Sequence, residues 1–311
     1  MREWLKNSKV WVNNTFYIPL KGIYRRRWTQ YTRTGKIALC CIAKMENEYI
    51  RFFADYYKDL CFDKIFLYDN NDPDGERFDD VLKEHIESKF VEVVDFRGKT
   101  VIQLMAYQDC YEKHNKEYSW IAFFDCDEFL TFADGTKDVH HFLKKMKFLP
   151  YQVIHINWQV YGDNEQLDSD GRSVIDRFKN PVLPYDFKAQ YCDIPENNHV
   201  KSIVRGGLSR IGWKVHTPIS FYYHCCTPLG NTVDMNSPFQ DYDFSVAYIR
   251  HYTTKTIGEW VRNKMRKGCP DRPMETWSKR LNLDFFFKYN KKTEKKLVYA
   301  KKLTEKLASL A

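Results

Sequence analysis

From Lys36 to Phe124 short apolar runs alternate with stretches of helical periodicity, and no other feature restricts the fold of this chain as strongly. KIALCCIA (36–43) has the continuous apolar character of a strand covered on both faces. In the MENEYIRFFADYYKDL that follows, Ile50, Phe53, Ala54, Tyr57 and Leu60 stand at helical spacing. FDKIFLYDN and FVEVVDF repeat the strand pattern, separated by the turn-rich NDPDGE and the helical FDDVLKEHI. TVIQLMAYQDCYEKHNKEY then carries a helix to SWIAFFD. Strand and helix in strict alternation predict an α/β fold with a doubly wound, mostly parallel sheet. Further on, VHHFLKKMK is amphipathic, YQVIHINWQVYG, KSIVR and ISFYYHC are strand-like, and the chain from Lys255 onward reads as helices.

The run WIAFFDCDEFL (120–130) ends in three carboxylates, Asp125, Asp127 and Glu128. Open α/β sheets bind ligands at the carboxyl ends of their strands, where these acids emerge. Asp125 and Asp127 lie two apart, so on extended backbone both leave on one face and can converge on one ligand. Glycosidases place two carboxyls on opposite sides of the scissile bond, which one strand end does not readily supply. Divalent-metal and nucleotide binding fits better. Lys201 and Arg205 in HVKSIVR share a strand face, an arrangement suited to a diphosphate. His216, His224 and His251 are the candidate nitrogen ligands.

Charge adds little, since a formal net charge of +8 over 311 residues comes with 41 acids. It fits phosphates or an anionic membrane as readily as nucleic acid. No two cysteines are spaced C-x-x-C, which removes the usual zinc-ribbon and thioredoxin-like patterns and leaves core thiols. With no apolar run of membrane-spanning length, a cytoplasmic location is expected. The basic cluster Lys21, Arg25, Arg26, Arg27 and Arg33 and the Lys-rich C-terminal helices point to peripheral contact with the anionic inner face of a membrane.

In order along the chain, CIAKMENEYIRFFADYYKDLCFDKIFLYDNNDPDG, WIAFFDCDEFL, INWQVYG, HVKSIVR and IRHYTTKTIGEWVRNKMRKG resemble the successive signatures of glycosyltransferase family 92 and its bacterial relatives. The resemblance implies a GT-A fold, an α/β/α sandwich with C-terminal helices, that moves a sugar from a UDP-sugar with inversion, usually with Mn²⁺ or Mg²⁺. Carried over by position, Asp125 faces the ribose and Asp127 the metal-bound diphosphate. Ala43, Lys44, Glu46 and Asn47 after the first strand, and Asp69 and Asn70 after the second, fall where such enzymes hold uracil and ribose. Gly162 resembles the glycine beside the donor sugar, and His251 the late histidine that joins the metal.

An inverting transfer needs a carboxylate to take the acceptor proton. Glu165 is the first candidate, followed by Asp163, with Asp176 and Glu196 further afield. The expected domains are a basic extension (1–35), the transferase domain (36–272) and a helical extension (273–311). The expected acceptor is a glycan or its lipid-linked precursor in cell-surface polysaccharide synthesis. A sugar-1-phosphate nucleotidyltransferase is the alternative enzyme, although AKMENE lacks the glycine-rich loop it needs after the first strand. A polyanion or nucleic-acid binding module is the alternative outside enzymes, and no nucleic-acid partner is expected.

Overall fold

The computed structural model of the chain describes residues 35–146, 149–182, 195–267 and 282–309. The expected N-terminal extension and its basic cluster lie outside the described residues.

The alternating pattern builds one face-covered sheet. Strand β1 (Ile37–Ala43) leads to helix α1 (Ile50–Asp59), β2 (Lys64–Asp69), β3 (Val91–Asp95), helix α2 (Gln103–His114) and β4 (Trp120–Phe123). These four strands are mutually parallel in the order β3-β2-β1-β4. Every residue of β1 and β4 is buried, as their unbroken apolar runs require. Leu39, Phe53, Tyr57, Phe124 and Phe129 belong to the core on one face, and Cys40, Phe66, Tyr107, Tyr111 and Phe123 to the core on the other.

The helix expected over FDDVLKEHI is instead two short turns, Phe78–Val81 and Lys83–Glu87. Leu82 leaves helical geometry between them (φ −111°) and is fully buried. Burial of that one side chain outweighs the continuity of a weak helix.

The second half completes the sheet with mixed directions. β5 (Glu128–Phe132), helix α3 (Val139–Met146), β6 (Val153–Val160) and β7 (Val200–Arg205) come first. β7 lies antiparallel between β4 and β6. The two-residue strands β8 (Gly212–Trp213) and β9 (Pro218–Ile219) form a separate hairpin, while β10 (Cys225–Cys226) and β11 (Thr232–Val233) extend the sheet beyond β6. The strand expected over ISFYYHC is thus reduced to its two ends, and Phe221 between them is 93% exposed. β12 (Ala247–His251) pairs antiparallel with β5 and parallel with the end of β6.

Past β12 a helical segment, Ile257–Lys267, is followed by α4 (Leu283–Tyr289) and α5 (Glu294–Ala308). Trp260 and Val261 pack with Phe286 and Ala300, so α4 and α5 share a core with that segment. Among the described residues, no helix is long and apolar enough to cross a membrane.

Candidate active site

The site lies at the carboxyl edge of the parallel strands, and the turn joining β4 to β5 sets its centre. The chain leaves extended geometry after Phe123, and Glu128 N–H closes a turn on Asp125 O at 3.0 Å. The fully buried Glu128 accepts from Asp125 N–H through Oε2 at 2.9 Å, so this third acid holds the turn from beneath. Burial raises its carboxyl well above the usual range, against the pull of Lys201. Because of the turn, Asp125 and Asp127 meet different partners rather than leaving on one face.

Asp125 accepts from Lys201 Nζ at 2.7 Å, and from Tyr107 Oη and Gln103 Nε2 at 3.2 and 3.3 Å. Asp127 is buried, with Lys264 Nζ 2.6 Å from Oδ2 and His251 Nε2 3.8 Å from Oδ1. Burial opposes its charge, but Lys264, His251 and then Lys255 and Lys267 outweigh burial and hold the carboxyl well below its ordinary range. His251 arrives because β12 runs antiparallel to β5, which sets it opposite Glu128, and Tyr252 N–H clips to Asp127 O at 2.9 Å. Burial lowers the imidazole to about 4 despite Asp127, so the ring is neutral near pH 7 and one of its two nitrogens carries a free lone pair. Its Nδ1 is buried without a hydrogen-bond partner among the described residues. Of the other two histidines, His216 lies against Trp158, whose ring also contacts His251. His224 sits beside the far end of β6, its backbone carbonyl accepting from Gln152 N–H.

The loops after β1 and β2 line the adjoining part of the edge. Ala43 and Asp69 are neighbours in register, and Asn70 N–H donates to Ala43 O at 2.9 Å. Asp69 accepts from Asn71 N–H, and Asn70 Nδ2 donates to Lys99 O. Lys44 pairs with Asp72 at 2.8 Å, and Asn47 N–H donates to Glu76. Glu46 is buried between Lys255 and Lys267, whose charges, with that of Lys264, outweigh burial and lower its pKa.

Arg205 is placed away from this edge, and the other sequence candidates have partners of their own. Arg205 stands at the opposite end of β7 from Lys201, about 13 Å along the strand, where it donates to the carbonyls of Tyr151, Met146 and Leu149. A β carbon on Gly162 would meet Asn290 Oδ1 at 2.8 Å and Tyr289 O at 3.0 Å, so its missing side chain is explained by the close approach of α4. Asp163 is buried against Lys296 of α5 at 2.6 Å. Glu165, by contrast, has a side chain 61% exposed, and both it and Asn164 adopt left-handed backbone (φ +63° and +46°). Ser173 caps the turn that carries Asp176, its side chain accepting from Asp176 N–H, and Glu196 pairs with Lys288 at 2.5 Å.

Sequence reading missed Glu128, Gln103 and Tyr107 as supports of Asp125, and Lys255, Lys264 and Lys267 as members of the site. The Lys/Arg run after His251 is the available signal, but as a basic helical stretch it reads as membrane-facing charge. In the structure Arg262, Lys264 and Lys267 turn inward to Asp168, Asp127 and Glu46.

The family profile of glycosyltransferase family 92 matches residues 37–297, which includes every residue described at this edge. The chain belongs to glycosyltransferase family 92. Its mixed sheet with helices on both faces is the α/β architecture expected of the chain, and the family match continues into α5. Solved structures similar to this family 92 chain include Staphylococcus aureus TarS 1–349 with UDP-GlcNAc, at 10% identity, 86% of this chain, 79% of that one and a TM-score of 0.36. TarS 1–349 with UDP matches at 12% identity over 55% of this chain and 46% of that one, with a TM-score of 0.33. The Pyrobaculum calidifontis mannosyltransferase PcManGT with GDP-Man and Mn²⁺ matches at 8% identity over 48% of this chain and 45% of that one, with a TM-score of 0.30. The chain thus spans less than half the length of two of these three, and no residue role is carried over from them. No curated protein matches the sequence.

Proposed function

We propose that this glycosyltransferase moves a sugar from a UDP-sugar to a glycan or lipid-linked glycan, with inversion and with Mn²⁺ bound at Asp127. The observation that carries the proposal is the placing of Asp125 and Asp127 on one strand-end turn, with two distinct sets of partners. Asp125, fixed by Lys201, Tyr107 and Gln103, is oriented for a ribose hydroxyl. Ala43, Lys44, Glu46 and Asn47 with Asp69 and Asn70 adjoin it along the edge and are the proposed lining of the uridine pocket.

At Asp127, Oδ2 is held by Lys264 at 2.6 Å, and Oδ1 with the imidazole of His251 is the donor pair that faces a metal. A carboxylate and a neutral imidazole suit Mn²⁺, which accepts nitrogen as well as oxygen, better than Mg²⁺. Among the described residues no three His, Cys, Asp or Glu side chains gather as a metal site, so phosphate oxygens and water are the proposed remaining ligands. When bound, the ion supplies positive charge beside the departing nucleoside diphosphate.

For the proton, Glu165 is the proposed base. Its carboxylate is open to solvent in a strained loop and only 3.5 Å from Lys296, whereas Asp163 is buried and held by the same amine at 2.6 Å. Inversion follows if one carboxylate activates the acceptor on the face opposite the leaving group. Cytoplasmic placement with peripheral attachment to an anionic membrane is part of the proposal, supported by exposed Leu297 and Val298 beside lysines on α5.

Incubating the protein with a panel of UDP-sugars and GDP-sugars, with Mn²⁺ or EDTA, tests this reading. The expected result is UDP release with Mn²⁺ only, and a product of opposite anomeric configuration by proton NMR. Turnover of GDP-sugars alone, or retention of configuration, would contradict it.

A further inference from the structure

We propose that Lys255, Lys264 and Lys267, all carried on the segment after β12, form a cradle for the diphosphate of the nucleotide donor. The proposal rests on the reading of this edge as a nucleotide-sugar site and adds residues that reading does not use.

A basic helix on a protein surface ordinarily turns its lysines to water. Here the three amines point inward. Lys264 Nζ lies 2.6 Å from Asp127, Lys255 Nζ 3.5 Å from Glu46, and Lys267 bonds the other oxygen of Glu46. Three ammonium groups thus meet two carboxylates, and an anion entering beside Asp127 would balance the remaining positive charge.

The segment is built to hold them there. Thr256 and Glu259 form a capping box, and Arg177 fastens the same Glu259 through two bonds of 3.0 and 2.5 Å. Tyr49 Oη donates to Glu259 at 2.8 Å, tying the segment to α1. Gly258 lets the backbone pass close to Asp168, where a β carbon would stand 2.6 Å from the carboxyl carbon, and Arg262 pairs with that carboxylate. From Trp260 to Lys264 the helix widens to a π turn. An α-helix would stack these two residues on one face, four apart. Instead Trp260 Nε1 donates to Asn282 O on the α4 side while Lys264 reaches Asp127. Lys255 itself sits in left-handed backbone (φ +51°), a conformation held by its surroundings.

Calorimetry in EDTA, with UDP and uridine as probes, tests the cradle without metal. In Lys264→Gln and Lys267→Gln, UDP affinity is expected to fall about tenfold, as for loss of a hydrogen bond to a charged group, with uridine affinity unchanged. Lys264→Arg should retain most of the affinity. If Lys264→Gln fails to fold, Lys267→Gln carries the test. Equal changes for UDP and uridine, or none for either, would overturn the cradle. Wild-type protein that binds UDP and uridine equally would overturn it while leaving the donor reading standing. Loss of pyrophosphate binding in the variants of a protein that binds no uridine would keep the cradle and remove the donor reading.

Discussion

Along β1 to β3, the groups at the site edge are held mainly by residues close in sequence or in the next loop: Asp69 by Asn71, Asn70 by Ala43 and Lys99, Lys44 by Asp72. Along β4 to β12 the partners are remote. Lys201 is 76 residues from Asp125, Lys264 is 137 from Asp127, and Glu259 is 82 from Arg177. The first region is a platform whose shape follows from strand and helix pattern. The second delivers the site's positive charges through tertiary contacts, so its function depends on long-range ion pairs that pattern does not encode.

The widest separation between the regions should appear when Asp127, where remote partners converge, is removed. Asp127→Ala is expected to lower transfer by about 1,000-fold while circular dichroism is unchanged, because a site charge is lost and no core contact. Activity near wild type would break the assignment of the second region as the chemical half. Next comes Arg177→Met, which leaves Glu259 buried without its partner and should lower unfolding free energy by about 3 kcal/mol in urea titrations. A loss confined to a few tenths would show that the remote pairs are not what holds the basic segment.

A smaller effect separates the two cations of β7. Lys201→Met should weaken UDP binding by about tenfold through Asp125, and Arg205→Met should leave UDP binding unchanged while lowering the melting temperature. Equal losses of UDP affinity would put Arg205 back at the site, against its position at the far end of the strand.

These contrasts follow the boundary of what the sequence made legible. The order of β1 to β4, the placing of the acids at a strand end and the meeting of His251 with Asp127 could be read, because buried apolar runs and a family-like series of motifs mark them. The strand pattern put Asp125 and Asp127 on one face, and only the family resemblance gave them separate roles; their distinct partners were not legible, since the turn that Glu128 stabilises replaces extended backbone. Gly162 read as a glycine beside a ligand; its close approach to Asn290, on a segment whose docking no local pattern predicts, was not legible. Lys264 and Lys267 read as membrane-facing charge because inward direction depends on the π turn and on Arg177, both tertiary facts.

The smallest expected effect is a pH dependence within the second region. Burial holds His155 at about 3, against 6.5 as the ordinary value. The unfolded chain therefore takes up a proton below pH 6.5 that the folded chain refuses, so this contribution is complete above 6.5 and is lost as pH falls toward 3. At pH 5.5 His155 should account for about 1 kcal/mol of the loss seen by urea unfolding, with His216 and His251 adding to it in the same direction, so the loss should be smaller by that amount in His155→Asn. An equal slope in the variant would assign the dependence to other groups.

Isothermal titration of UDP, GDP, CDP and ADP into the wild-type protein and Asp127→Ala, with Mn²⁺ and with EDTA, tests the central claim most directly. The account predicts that UDP with Mn²⁺ binds more tightly than any other pair, that EDTA weakens it, and that Asp127→Ala abolishes the Mn²⁺ effect. Equal affinity for all four nucleotides, or UDP binding indifferent to EDTA in the wild type, would contradict it.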